Sequence, residues 1–136
     1  MSLRLLLAIT ATLVALAVAC GGGSAVPEDP RVLEIGTLAE EATYALAGGG
    51  PAGLYQFLAP EIVQRCSPQQ FAKALTGQEM PTGFRGLRKV EFAGEEALVN
   101  VIFIVGGQDK DIEWTFAKGS DGTWRLSKVP GLEECR

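Results

Sequence analysis

The spacing of apolar residues changes near the middle of the chain, and this change limits the fold more than any other feature. Between Val32 and Leu46, apolar residues recur every three or four positions, which is the period of a helix with one buried face. From residue 87 onward the apolar runs are short, several alternate with polar residues, and glycine-rich turns separate them. The sequence therefore predicts an α+β domain, with helices gathered on one face of an antiparallel sheet.

Capping signals define the ends of the predicted helices. Asp29 is a suitable N-cap, and the glycine run at residues 48–50 ends the first helix. Ser67 and Gln70, with a proline between them, match the capping-box arrangement that opens a helix. The three predicted helices cover residues 30–47, 52–58 and 67–77.

Four strand-length runs follow, and short turns connect them in sequence. The second run is apolar on both faces apart from Asn100, so we expect it to be a central strand. The predicted strands cover residues 87–93, 97–105, 111–117 and 123–129. Together they predict a curved, antiparallel four-stranded meander.

The first twenty residues are typical of a bacterial export signal. Arg4 precedes an apolar run of 14 residues, 5–18, which would span about 21 Å as a helix and is short of a membrane of roughly 30 Å. Ala17-Val18-Ala19-Cys20, followed by Gly21-Gly22-Gly23-Ser24, resembles the lipobox of bacterial lipoproteins, although Ala17 stands where that motif most often has leucine.

The lipobox resemblance implies a cut before Cys20 and a lipid on its sulfur. Residues 1–19 would then be a signal peptide, 20–29 a lipidated cysteine with a flexible tether, and 30–136 a single domain. This arrangement predicts an extracytoplasmic protein anchored to the bacterial cell membrane through Cys20. Two alternatives stay open: an ordinary secretory signal, and an uncleaved anchor within the uncharged residues 5–27, whose glycines and Pro27 suit a membrane helix poorly.

Two cysteines remain once Cys20 is assigned to the leader. Cys66 and Cys135 have no CxxC spacing and no histidine partner, and thiols outside the cytoplasm can oxidise. We therefore predict a disulfide between them, with two unpaired thiols as the alternative.

Composition excludes several classes of function. The absence of histidine excludes Ser-His-Asp and Cys-His catalysis and histidine-ligated metals, and a net charge of −4 disfavours nucleic-acid binding. The acidic pairs Asp109/Asp111 and Glu95/Glu96 lie at glycine-rich turns, where solvated carboxylates make poor general bases. We therefore predict no catalytic residue, no metal and no cofactor. Three residues, Arg85, Arg88 and Lys89, form a basic cluster that we expect at an exposed edge.

Several local sequences accompany the predicted order of three helices and four strands within residues 30–129. They are Ala45-Leu46-Ala47, the segment Leu54-Tyr55-Gln56-Phe57-Leu58-Ala59-Pro60-Glu61, the Ser67 helix and Trp124 in the last strand. In these features the chain resembles the nuclear transport factor 2-like (cystatin-like cone) superfamily. Gly49-Gly50 stands where members often have Gly-Asp. The resemblance implies a sheet that bends around the helices into a cone, whose mouth serves as a ligand pocket, an active site or a docking surface.

The polar residues of a possible pocket are few. We expect Asn100 inside or at the mouth of the cone, with a satisfied buried amide as the alternative, while the phenols Tyr44 and Tyr55 are the available donors. The sequence thus favours a non-catalytic, lipid-anchored envelope module that binds a small apolar ligand or a protein, including a second copy, through its sheet face. A cone-pocket isomerase or dehydratase and a structural subunit of an envelope complex are the alternatives.

Overall fold

The computed structural model describes residues 29–135 and confirms the predicted α+β class. The signal peptide predicted at 1–19, the lipidation site Cys20, the tether up to residue 28 and the final Arg136 lie outside the described residues. The elements are α1 (Pro30–Tyr55), α2 (Pro60–Arg65), α3 (Pro68–Ala74), β1 (Gly83–Ala93), β2 (Glu96–Val105), β3 (Gln108–Lys118), β4 (Trp124–Lys128) and a final 3-10 turn, η1 (Leu132–Glu134).

Helix α1 begins where predicted and breaks two residues later than predicted. The Asp29 side chain accepts a hydrogen bond of 3.0 Å from the Arg31 backbone N–H, which satisfies a free donor of the first turn. Gly48 and Gly49 stay helical, and the break falls at Gly50, whose φ of 63° few other residues adopt. The predicted second helix is the short arm of α1 that follows this break and ends at Tyr55.

The next two helices test the capping signals. In α3 the capping box is confirmed, because the Gln70 N–H donates to Ser67 Oγ at 3.2 Å and the Ser67 N–H donates to Gln70 Oε1 at 2.8 Å. Helix α2 was not predicted. Pro60 follows the predicted helix 52–58 and occupies the first helical position of α2, where its missing N–H costs nothing.

The four strands form one antiparallel sheet in the order β1-β2-β3-β4, and its ends do not meet as a barrel. β2 lies between β1 and β3, so the central position predicted for it is confirmed. β1 starts four residues earlier than predicted and carries two irregularities of register, between Phe84 and Gly86 and between Leu87 and Lys89. The free edge of β4 is covered, because Leu126 bonds with the backbone of Phe57 and Ala59.

The helices cover one face of the sheet, which we call the inner face. The core between them is apolar throughout, and its buried members include Ile35, Ala39, Phe71, Val99, Val101, Phe116 and Leu126. The predicted Cys66–Cys135 disulfide is present, with a Cα–Cα distance of 5.6 Å, and it joins the end of α2 to the C-terminal segment. None of the helices in the described part of the chain is long and apolar enough to span a membrane.

Candidate functional site

The space between the helices and the inner face is filled by side chains. Trp114 is only 2% exposed and packs edge-on against Phe103, with ring centroids 5.3 Å apart, and against Phe116 at 6.2 Å. At the open end, where Leu75 and Met80 approach Phe103, the remaining cavity measures about 20 Å³. That volume is close to what a single water molecule needs, so this end of the core holds no ligand-sized pocket.

The three residues of the predicted pocket do not lie together. Tyr44 projects from α1 and is 52% exposed. Tyr55 lies in the fold, where its hydroxyl donates to the Cys66 carbonyl oxygen at 2.7 Å and its ring packs on Phe71. Asn100 alternates with the buried Val99 and Val101 and therefore lies on the opposite, outer face of the sheet.

The placement of Asn100 corrects our expectation and has a visible cause in the sequence. Gly106 and Gly107, with φ of 57° and 79°, form a two-residue hairpin turn that pairs Val105 with Gln108. The predicted strands 97–105 and 111–117 left five residues between them, and this longer connection hid the register. Counting back from the two-residue turn pairs Asn100 with Glu113, on the charged face of β3.

No aspartate or glutamate among residues 29–135 is buried, so the described domain offers no desolvated carboxylate as a general base. The buried polar side chains in this range are Thr43 and Thr115. Two aspartates have shifted pKa values: hydrogen bonds from Arg31 lower the pKa of Asp29, and hydrogen bonds from Arg125 and the Thr123 N–H lower the pKa of Asp121. Both lowered pKa values keep these carboxylates ionised, as expected of surface ion pairs.

The outer face of β2 carries an apolar stripe. Leu98 is 39% exposed, and Ile102 and Ile104 on the same face are half-buried. Gly83 and Gly86 of β1 lie directly opposite Ile104 and Ile102 and have no side chain to cover them. We call Leu98, Asn100, Ile102 and Ile104 the β2 stripe.

Charged residues of opposite sign flank the β2 stripe. On the β1 side are Arg85, Arg88 and Lys89, which we call the basic flank; the same side also carries Glu91, which lies opposite Leu98 and pairs with Lys89 at 2.7 Å. On the β3 side are Asp109, Asp111 and Glu113, which we call the acidic flank. Arg88 reaches across β2 and binds both oxygens of Asp111, at 2.7 and 3.2 Å, and this pairing raises the Arg88 pKa. Arg85 also reaches across β2, where its Nε–H donates a single hydrogen bond of 3.2 Å to Asp109 Oδ1.

The acidic flank was partly visible in the sequence. Asp109, Asp111 and Glu113 alternate at the two-residue spacing of one strand face, but the predicted strand began only at Asp111, and we interpreted the two aspartates as residues beside a glycine-rich turn. The basic cluster was identified, and the structure places it on the outer face of β1.

A second concave surface lies between α1 and β1. It is an open groove of about 470 Å³. Its walls include Leu33, which is 73% exposed, with Gly36 and Leu87 at its floor. The volume falls in the range of small-molecule sites, although the groove lies open to solvent along its length.

Comparison with known proteins gives no relative from which function could be transferred: no protein-family model matches the chain, and no curated protein matches it significantly.

Proposed function

We propose that this protein is a lipid-anchored protein of the bacterial cell envelope whose single domain is a non-catalytic interaction module. The observation that carries the proposal is the filled interior. The cavity at the open end of the core, within residues 29–135, measures about 20 Å³, so the proposal assigns the contacts with partners to the surface of the domain.

The outer face of the sheet is the surface that suits a protein partner. It combines an apolar centre, the β2 stripe, with charged margins, and interfaces commonly have this distribution of apolar core and polar rim. Its half-buried isoleucines lie on rigid strands, so docking there requires little ordering of the backbone.

The anchoring part of the proposal rests on the leader sequence. Cys20 is followed by a glycine-rich segment, and nine positions separate it from Asp29, where α1 is capped. A chain of this length has a root-mean-square reach of roughly 15–18 Å, enough to hold the domain near the membrane surface. The Cys66–Cys135 disulfide supports the same location, because such bonds persist in oxidising compartments.

A small apolar ligand is the second candidate, and the α1–β1 groove is the observation that favours it. The exposed Leu33 side chain and the floor of Gly36 and Leu87 would contact such a ligand. An isomerase or dehydratase is less well supported, because catalysis of that kind needs a positioned acid or base in a sheltered site.

Two experiments test the proposal. Intact mass of the membrane-extracted protein, with and without reductant, should show a chain that begins at an acylated Cys20 and gains two hydrogens on reduction. A chain that retains Met1 would contradict cleavage and lipid attachment at Cys20.

The second experiment places the photo-crosslinking amino acid p-benzoylphenylalanine at Ile102 in living cells, with the same substitution at Tyr44 as the matched control. We expect protein adducts from position 102 and few from position 44, because Tyr44 lies on α1, away from the outer face. If position 102 forms no protein adduct, the outer face is not a contact surface and the proposal fails.

A further inference from the structure

We infer that a groove between α1 and the start of β4 binds an extended, basic segment of a partner protein. This site is separate from the outer face and goes beyond the proposed function. The inference rests on three observations that meet in one place: an open groove, a buried donor that has no acceptor within the described domain, and two carboxylates that form no ion pair there.

The groove, which we call the α1–β4 groove, lies beside the first turns of α1. Its volume of about 330 Å³ falls in the range of small-ligand sites. Thr37 also lines the α1–β1 groove, so the two grooves lie on either side of it. The residues that line the α1–β4 groove are Glu34, Thr37, Leu38, Glu41, Thr123 and Trp124.

Trp124 supplies the donor. It is 3% exposed, and its ring packs on Phe92 with the ring centroids 6.0 Å apart. Its Nε1 atom is the one buried side-chain nitrogen or oxygen of residues 29–135 that has no hydrogen-bond partner in the domain. Buried polar groups almost always have a partner, because an unpaired one has lost its water without compensation. Since Trp124 also lines the groove, a ligand bound there can supply the missing acceptor.

Glu34 and Glu41 supply the charge. Both are exposed, and none of the ion pairs formed among residues 29–135 involves either of them. They are seven positions apart on α1, so their α-carbons are separated by about 10 Å on one side of the helix, with Leu38 between them. Two unpaired carboxylates at this separation favour a partner that carries two cations.

Lys118 restricts where a cation of the ligand can lie. Its Nζ atom is 5.7 Å from the centre of the Trp124 ring, so the indole already has a cation against it. A cation of the ligand therefore pairs with Glu34 and Glu41 rather than with the ring.

An extended peptide segment with basic side chains at alternate positions meets these requirements. Its backbone carbonyl groups accept hydrogen bonds, and its alternate side chains lie on one side about 7 Å apart. The flexible stems of lysine or arginine cover the remaining distance to the two carboxylates and pack along Leu38. The tether of this chain, residues 20–29, is a poor occupant, because it carries Glu28 and Asp29 and neither lysine nor arginine.

The test uses the membrane-extracted protein, labelled with ¹⁵N at tryptophan, and the peptide acetyl-Ala-Lys-Ala-Lys-Ala-amide. The chain has two tryptophans, so two indole N–H signals are expected, and Trp124→Phe identifies which is which. The peptide should move the Trp124 signal downfield, because that N–H gains an acceptor. The Trp114 signal should not move, because Trp114 lies at the open end of the core.

Glu34→Gln combined with Glu41→Gln should weaken binding of the peptide by about tenfold, because two exposed ion pairs of modest strength are lost. Glu40→Gln combined with Glu133→Gln is the matched control, because it removes the same number of charges from outside the groove and should leave binding unchanged. The neutral peptide acetyl-Ala-Gln-Ala-Gln-Ala-amide should bind the unchanged protein about tenfold more weakly than the lysine peptide. Circular dichroism checks that every variant is folded.

The inference is overturned if the lysine peptide leaves the Trp124 signal unmoved, if the loss of Glu34 and Glu41 weakens binding no more than the control does, or if the glutamine peptide binds equally well. If putrescine moves the Trp124 signal as far as the peptide does, the groove takes a small cation and the peptide partner is rejected. Crosslinking at Ile102 tests the proposed function separately, so protein adducts there leave that proposal standing when the groove fails.

Discussion

Replacing Cys66 and Cys135 together with alanine should lower the free energy of unfolding by about 4 kcal/mol. The two residues are 69 positions apart. A crosslink that closes a loop of this length lowers the conformational entropy of the unfolded chain, which stabilises the folded state by about 4 kcal/mol. A domain of this size is commonly stable by only 5–15 kcal/mol, so the disulfide accounts for a large share of the total. The expected fall in melting temperature is on the order of 15–30 °C.

The fall in the free energy of unfolding should stay close to the value estimated from loop closure, because the packing of the folded state changes little. Both cysteines are almost fully buried members of the core, and alanine keeps the β-carbon of each. Because the C-terminal segment also buries Val129 and Leu132, the native contacts of the segment survive without the crosslink. The unfolded state is therefore where most of the change occurs.

Urea unfolding followed by tryptophan fluorescence measures the change, since Trp114 and Trp124 are both buried. The double variant and the reduced wild type should agree within about 1 kcal/mol, and both should show a steeper dependence on urea because their unfolded chains are more extended. A loss below about 1 kcal/mol would refute the account, because it would mean that the crosslink barely restricts the unfolded chain.

Three further predictions concern local structure. Ser67→Ala should lower the free energy of unfolding in urea by about 1 kcal/mol, because it removes the hydroxyl that accepts a hydrogen bond from the Gln70 N–H at the start of α3. Ser120→Ala, in an exposed turn, should leave the free energy of unfolding almost unchanged. Tyr55→Phe should cost about 1–2 kcal/mol by the same assay, because the Cys66 carbonyl loses its donor while the packing on Phe71 remains. The pKa of Asp121 is lower in the folded protein than in the unfolded chain, where it is about 3.9, so the ionised side chain contributes stability above about pH 4 that is lost as the pH falls through the folded pKa. Asp121→Asn should therefore flatten the pH dependence of thermal stability below about pH 4.

Much of the fold was predictable because local signals agreed with one another. The change of period, the Ser67–Gln70 capping box and the glycine-rich turns each predicted an element that the structure contains. The Cys66–Cys135 pairing followed from counting the cysteines outside the leader. In each case the deciding interaction lies within a few residues or involves a residue type with a single plausible partner.

The elements that were not predicted contain prolines and glycines, whose structural role depends on their position in the fold. Pro60 ends a helix when it follows one and begins a helix when it occupies the first turn, and only the fold around α2 distinguishes the two roles. Gly83 and Gly86 resemble loop residues, yet they pair with β2 and extend β1 by four positions. Glycine is unfavourable in strands in general but is accepted where a neighbouring side chain, here Ile104, lies close over it.

The candidate site was harder to predict than the fold, because it depends on which face of β2 the helices cover. Both faces of β2 are apolar, so periodicity alone could not assign Asn100 to the core or to the surface. The assignment comes from β3, where Ile112, Trp114 and Phe116 must face the core and Asp109, Asp111 and Glu113 must face away. The register set by the turn at Gly106 and Gly107 then determines which face of β2 carries Asn100.

Side chains of β1 cross the outer face of the sheet and cover part of the β2 stripe. Arg85 and Arg88 lie across Ile104 and Ile102 to reach Asp109 and Asp111, so their aliphatic stems cover part of the stripe in the single chain. Exposed pairs of this kind contribute little to stability, and for that reason they can be exchanged for equivalent pairs with a partner at little cost. Under the proposed function, the same four side chains shield the stripe in the single chain and are available to pair with the charges of a partner.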